Sequence, residues 1–432
     1  RPILWSLPSD GHKDARAWIA AGIDAAAITA QILAVATAVQ PPPGAIHEDG
    51  TLPKEDPRMI REYRHELFHS KTTAMGEQGV FVDTSPTGAG KSYSTCVALR
   101  DVPGVLVETV DKRGRVRERE VPLKSVTALP THENCRERAA EMRAVGILAK
   151  HIGIMPELTR DNCQNFEAAT AAREAGLSHG QVVCRRCPYS KGCPYAADTA
   201  RATNRRHLLL THERLRRSAA AKYITGRQIV IIDERPNEVI RPAIECNVND
   251  LEEAGEFFAV VAASCESVAL QTLDSWADGG GAPDRAVAIS AAAARLHRAA
   301  VDLATQANAI TEPGAYMVES ADVEAMPARW EQLVPDMLAE SSRKPPAGAV
   351  RLLLALGEGL ATAAAVVVDR RPDGEFDRKL LIAWAVPFEG QSLHLLDGTA
   401  DAATLERLAG RPVTDITPQG HLAAVHDVRQ RP

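Results

Sequence analysis

Ser85-Pro86-Thr87-Gly88-Ala89-Gly90-Lys91-Ser92 is the stretch on which the reading of the fold turns. It follows the apolar run Gly79-Val80-Phe81-Val82 and precedes a segment of helical character, the strand–loop–helix order that a phosphate-binding loop needs. In such a loop backbone N–H groups turn inward around phosphate oxygens, so bulky side chains must be absent at the closest approach. Gly88 and Gly90 leave that room, and Thr87 and Ala89 complete the cradle. Lys91 would reach the β- and γ-phosphates of ATP, and the Ser92 hydroxyl would ligate Mg²⁺. Ser85 stands where the usual pattern has glycine, so the match is a variant.

A Gly-Lys-Ser triplet arises readily by composition and needs a partner. Gln228-Ile229-Val230-Ile231-Ile232-Asp233-Glu234 supplies one. Four consecutive β-branched residues predict a strand buried on both faces of a parallel sheet, and the strand ends in two carboxylates. Asp233 would hold the Mg²⁺, directly or through water, and Glu234 would polarise an attacking water. Lys91, Asp233 and Glu234 are therefore the expected catalytic residues of an ATP hydrolase.

The chain has 432 residues, 45% of them hydrophobic and only 4% aromatic, with a formal net charge of -6. That length holds two or three domains, and the charge offers no global attraction for nucleic acid, so any basic surface must be local. The opening residue is Arg1, and the chain reads as part of a longer polypeptide. The apolar stretches 17–39 and 352–368 are interrupted by Asp24 and Gln31, and by Gly357, Glu358 and Gly359. Neither reads as a membrane span, no signal peptide is visible, and the expected compartment is cytoplasmic. The sequence gives no oligomeric state.

Four of the eight cysteines, Cys163, Cys184, Cys187 and Cys193, share one segment with C-x20-C-x2-C-x5-C spacing. Turn-forming Pro188, Gly192 and Pro194 let that segment curl, and four soft thiolates suit a tetrahedral zinc or an iron–sulfur cluster, which spacing does not separate. Cys96, Cys135, Cys246 and Cys265 read as inert core thiols. Between Cys184 and Arg227 lie eleven Lys and Arg, including Arg185, Arg186, Arg205, Arg206, Arg214, Arg216 and Arg217, against Asp198 and Glu213. Such a run is either a solvated face or a nucleic-acid patch.

The expected fold is α/β: a RecA-like parallel sheet with a Cys-rich insertion and a helical insertion. Residues 1–44 read as an upstream remnant and linker, and 45–145 as the first part of the ATPase domain. Residues 146–227 form the Cys-rich metal-binding insertion, 228–245 the strand with the Asp-Glu box, 246–362 the helical insertion, and 363–432 a return to the sheet. Hairpins are expected around 112–115 and at Arg371-Pro372-Asp373-Gly374, and a polar helix over 56–73.

The order of these features resembles the superfamily 2 helicases. Ser85–Ser92 looks like their motif I, Ala128-Leu129-Pro130-Thr131 like motif Ia, and Asp233-Glu234-Arg235-Pro236 like a variant DEAH box. Asp397-Gly398-Thr399 occupies the place of the Ser-Ala-Thr of motif III. Cysteines between Ia and II, a helical insert between II and III, and Leu208-Leu209-Leu210-Thr211-His212 before motif II resemble the iron–sulfur XPD/DinG group. The resemblance covers about residues 55–430. It implies ATP hydrolysis coupled to movement along single-stranded DNA or a forked duplex, with a [4Fe–4S] cluster in a wedge domain and no membrane partner. It also implies that Pro130 and Thr131 touch the DNA backbone and that Thr399 couples it to the nucleotide. Arg235, Pro236 and Gly398 depart from the family pattern, and no clear base-reading Gln precedes the loop. A second RecA-like domain is expected to be absent, so that the chain binds ATP but turns it over slowly. Ser9-Asp10-Gly11-His12-Lys13-Asp14-Ala15-Arg16-Ala17-Trp18 also resembles the end of a Toprim domain, as in primases of phage and mobile elements. Two other readings stay open: a zinc-stabilised nucleic-acid-binding module regulated by ATP, and a P-loop kinase.

Overall fold

The computed structural model describes residues 4–5, 37–38, 79–85, 90–102, 104–110, 116–184, 187–216, 221–273, 282–327, 330, 344–386, 388 and 390–417. The Toprim-like stretch 9–18, the helix expected over 56–73, and Thr87, Gly88 and Ala89 lie outside these residues, as do Arg185, Arg186 and Arg217. The chain divides into two compact units, one of Arg1–Tyr63, Ser85–Ala89 and Pro418–Pro432, the other of Arg64–Thr84 and Gly90–Thr417. In the first, Leu4–Trp5 pairs antiparallel with Thr37–Ala38.

The second unit is built on seven parallel strands. In chain order they are β1 (Val80–Asp83), β4 (Ser125–Leu129), β5 (Ile152–Ile154), β6 (His207–Thr211), β7 (Ile229–Asp233), β12 (Ser392–Leu396) and β13 (Val413–Asp415). In space they run β13-β1-β12-β7-β4-β6-β5, every pair parallel. The β-branched run behaves as its composition dictates. Val230 and Ile232 face one core, while Ile229 and Ile231 face another with Leu129, Leu209 and Leu396. All four are at most 1% exposed, and such burial contributes about 1.5–3 kcal/mol per side chain. Helices α1 (Lys91–Asp101) and α2 (His132–Ala144) cover the second face through Cys96, Leu99, Cys135 and Met142. This is the α/β sheet expected, consistent with a RecA-like domain. Strands β2 (Gly104–Val110) and β3 (Val116–Pro122) form the first expected hairpin as a separate antiparallel pair.

The remaining chain builds a second lobe. Strands β8 (Ala243–Asn247), β9 (Gly314–Val318), β10 (Ala364–Arg370) and β11 (Phe376–Ala383) form an antiparallel sheet in the order β8-β11-β10-β9. The helical segment expected after the Asp-Glu box is there, as two long helices, Val248–Leu273 and Ala282–Ala309, with a shorter one at Ala347–Gly357. The hairpin expected near Arg371–Gly374 is also there, but it pairs with β8 and β9. Return to the parallel sheet comes only at Ser392, because the apolar faces of β10 and β11 are taken by this lobe.

The Cys-rich segment and the helical segment share one hydrophobic core. Cys163, Ala169, Ala172 and Leu177 pack in the same cluster as Phe258, Leu296, Leu353 and Ile382. Gly176 sits at φ +79°, and a Cβ there would lie 2.5 Å from the Ala347 carbonyl oxygen, so the two segments meet backbone to backbone where only glycine fits.

Candidate nucleotide site and thiol pocket

The register of the parallel sheet gathers the expected residues at its carboxyl edge. Leu396 pairs with Asp83 on one side and with Asp233 on the other. Strands spaced about 4.8 Å apart therefore put Asp83, Leu396 and Asp233 in one row. Ligands of open parallel sheets bind outside this edge. Helix α1 begins there. Gly90 precedes it at φ 82°, a left-handed conformation that glycine adopts without penalty, and no side chain caps the helix. Its first residues are Lys91 and Ser92, at the helix end whose N–H groups favour anions.

Asp233 ends β7, and the next two residues turn sharply. Glu234 and Arg235 have φ of 64° and 45°, left-handed values that are strained for non-glycine residues. Two bonds from the neighbouring strand end hold the turn: Glu234 N–H donates to the Leu396 carbonyl at 3.0 Å, and Arg235 N–H donates to Asp397 Oδ2 at 3.2 Å. Asp397 Oδ1 accepts from the Thr399 N–H at 2.9 Å and from its hydroxyl at 2.8 Å. The structure thus joins the Asp-Glu box to Thr399 through one carboxylate. Glu234 is exposed at this edge, and the Asp233 side chain is 15% exposed. His212 Nε2 donates to the Asp233 carbonyl at 3.0 Å. Burial lowers its pKa, opposed by hydrogen bonds to the Asp233 and Ala128 backbone.

Thr131 caps helix α2, accepting from the Asn134 N–H at 3.1 Å and donating to Asn134 Oδ1 at 2.8 Å. Its hydroxyl is engaged in shaping the chain, and Pro130 precedes it on the same turn.

Sequence reasoning missed Arg138. Its Nη2 donates to Asp233 Oδ2 at 2.5 Å and its Nε to Glu141 Oε2 at 2.9 Å. Burial opposes the charge of Arg138, but Asp233, with Cys96 and Glu141 nearby, more than offsets this and leaves the pKa raised. The signal was present in the spacing. Cys135, Arg138, Ala139 and Met142 recur at i, i+3, i+4 and i+7, so an arginine sits inside the apolar stripe of α2.

Asp233 ends β7 and Ser92 lies in the first turn of α1, and both carry oxygen donors of the kind Mg²⁺ takes beside nucleotide phosphates. The four clustered cysteines line one cavity of about 50 Å³ together with Tyr189 and Tyr195. Turns Cys184–Cys187, Cys187–Ser190 and Ser190–Cys193 wind the chain around it, and Cys193 begins helix Pro194–Thr203. The Cys184 thiol is pushed up to about 11, first by burial and then by Cys163, Cys193 and Cys187 around it. Among the described residues no three His, Cys, Asp or Glu side chains gather into a set that could hold a metal ion. The thiols therefore share a cavity without gathering into the metal-ligand set expected for iron–sulfur or zinc. Cys96, Cys135 and Cys246 are the inert core thiols expected, each pushed up to about 12 by burial.

Among the described residues, most arginines of the basic run are engaged within the fold. Arg227, 6% exposed, donates to the carbonyls of Thr203, Arg205, Arg206, Tyr223 and Ser125. Arg206 donates to the Leu123 and Val102 carbonyls, and Arg214 to the Pro156 carbonyl and the Tyr195 hydroxyl. Arg216 pairs with Glu238, and Arg201 with Asp198.

No family model and no curated protein matches the chain. Among solved structures the chain is similar to "XPD_Helicase" with a TM-score of 0.46 and 13% identity, the match covering 83% of this chain and 62% of that one. It is also similar to "Truncated XPD" with a TM-score of 0.43 and 11% identity, covering 85% of this chain and all of that one. The chain spans less than two thirds of the length of the first. No helix among the described residues is long and apolar enough to cross a membrane.

Proposed function

We propose that this chain is an ATP-dependent helicase or translocase segment that binds ATP·Mg²⁺ at the carboxyl edge of the parallel sheet. One observation carries the reading: a single strand, β12, pairs with both β1 and β7, so the loop strand, the Asp-Glu box and Thr399 come to one edge. Lys91 would bind the β- and γ-phosphates beside the Gly90 backbone at the start of α1. Bound Mg²⁺ supplies charge neutralisation on the phosphates, and Ser92 and Asp233 would hold it. Glu234, exposed at the edge, would orient the attacking water. The strained Glu234–Arg235 turn, tied to Asp397 and through it to Thr399, would carry the nucleotide state toward bound single-stranded DNA. Pro130 and Thr131 would contribute backbone contacts to the DNA.

The four thiols would hold a [4Fe–4S] cluster. A cubane takes four cysteine thiolates, and the support for this reading is that these four line one cavity.

Lys91→Ala tests the nucleotide site. DNA-stimulated ATP turnover should fall about 100-fold or more while single-stranded DNA binding persists. Unchanged turnover would remove the loop from the mechanism.

A further inference from the structure

Asp233 already has a cationic partner. Arg138 Nη2 lies 2.5 Å from Asp233 Oδ2, with the two side chains 6% and 15% exposed. The guanidinium arrives from α2, whose buried stripe carries it under the end of β7. Its fork is only partly used. One arm meets Asp233, Nε meets Glu141, and Nη1 is buried without a hydrogen-bond partner. A buried arginine with an unmade bond retains capacity to re-pair, because the five donors of the fork are fixed in one plane and move together.

We infer that Arg138 is the resident counter-ion of Asp233 and competes with the divalent cation for that carboxylate. The inference rests on the reading of Asp233 as a metal ligand and sets how tightly the metal is held there. Two cations drawn to one shielded carboxylate weaken each other's binding, and a divalent ion is the dominant local charge once bound. Glu141 makes the exchange workable. It lies one turn along α2, half exposed, 2.9 Å from the same guanidinium, and keeps a negative partner for Arg138 when Asp233 is taken. Arg138 is thus shared between an inner carboxylate that binds metal and an outer one that does not. The resting pair holds Asp233 neutralised, so empty sites do not carry an unbalanced charge into the core.

The sign of the effect separates this role from simple support. An arginine that only orients a ligand raises metal affinity, so its removal weakens binding. A competing arginine lowers affinity, so its removal tightens binding. The measurement is Mn²⁺ binding to the full chain, followed by the electron paramagnetic resonance signal of free Mn²⁺, with a non-hydrolysable ATP analogue present. Arg138→Met, neutral and of similar length, should bind Mn²⁺ about tenfold more tightly than the parent. Equal or weaker binding overturns the inference. Glu141→Gln, at a half-exposed position that the fold tolerates, leaves Arg138 with Asp233 alone and should weaken Mn²⁺ binding about two- to threefold. If Arg138→Met does not fold, this second variant decides, and unchanged or tighter binding overturns the inference. A parent chain that binds neither Mn²⁺ nor the nucleotide analogue overturns the nucleotide-site reading along with it, whereas nucleotide-dependent Mn²⁺ binding indifferent to both variants overturns the inference alone.

Discussion

The parallel-sheet body and the antiparallel lobe are comparable packed structures that treat polar groups in opposite ways. Among the described residues the polar and charged residues that are buried as a whole lie in the body, Ser85 of the other unit excepted. Asp83, Ser125, Thr127, Arg138, His207, His212, Arg227, Ser392 and His394 are examples. The lobe buries apolar side chains and thiols, from Phe258 and Leu353 to Cys246 and Cys265. Each buried polar atom in the body must be matched by a partner or cost free energy. His207 meets Ser125 at 3.0 Å, His394 meets Ser392 at 3.0 Å, and Arg227 gathers five carbonyls where chain segments converge. The body is therefore specified by directional bonds, which suits a sheet whose strand ends must present Asp233, Glu234 and Thr399 in register. The lobe is specified by shape and volume, which is more forgiving.

Acid should break this contrast most strongly. Burial lowers the pKa of His207 to about 3, with Arg206, His151 and Arg227 adding to the effect, and burial alone lowers His394 to about 3. In the unfolded chain both titrate near 6.5. The unfolded state then binds protons first as pH falls, so their contribution is complete above about 6.5 and is lost progressively toward about 3. Hydrogen exchange measured from pH 6.5 downward should show β6 and β12 losing protection before the helices Val248–Leu273 and Ala282–Ala309. Simultaneous loss would mean that the body and the lobe unfold as one cooperative unit.

Arg227→Met comes next. It leaves five buried or half-buried carbonyls to find new partners and should cost about 3 kcal/mol or more in denaturant unfolding. A loss under about 1 kcal/mol would show that water replaces the guanidinium and that the body is less demanding than its bonding suggests. The smallest effect belongs to the lobe. Leu353→Met, a swap of similar volume in a fully buried position, should cost less than about 1.5 kcal/mol. A larger loss would place shape complementarity in the lobe on a par with hydrogen bonding in the body.

The thiol cavity lies beside the lobe's core, and its donors differ from those of the sheet edge. Thiols are weak hydrogen-bond partners, so the surrounding turns rather than directional bonds bring the four cysteines to one cavity. The carboxylates of Asp233 and Asp397, in contrast, are each pulled into place by N–H, O–H or guanidinium donors.

Much of the sheet edge was legible from residues alone. A run of β-branched residues can be buried on two faces in only a few ways, and carboxylates after such a run fall at its carboxyl end. Gly90 before Lys91 reads as room for phosphate oxygens, and the structure adds that it enters α1 at φ 82°, which glycine adopts without strain. The basic run from Cys184 to Arg227 was ambiguous for a physical reason: an arginine that gathers buried carbonyls and one that faces solvent carry the same charge. Only the positions of Val102, Leu123, Ser125 and Thr203 around Arg206 and Arg227 decide between them.

By itself, then, the sequence determined the local states: the strand ending at Asp233, the helix beginning at Lys91, the hairpin near Arg371, and the four cysteines within one segment. These follow from propensity, patterning and backbone restriction, all short-range along the chain. Tertiary structure decided that β10 and β11 pair with β8 and β9, that two distant insertions share one core, and that Arg138 meets Asp233 across 95 residues of chain. Such pairings depend on which of several compatible apolar faces and charges meet, and that choice is made by the packing of the whole domain rather than by any one segment.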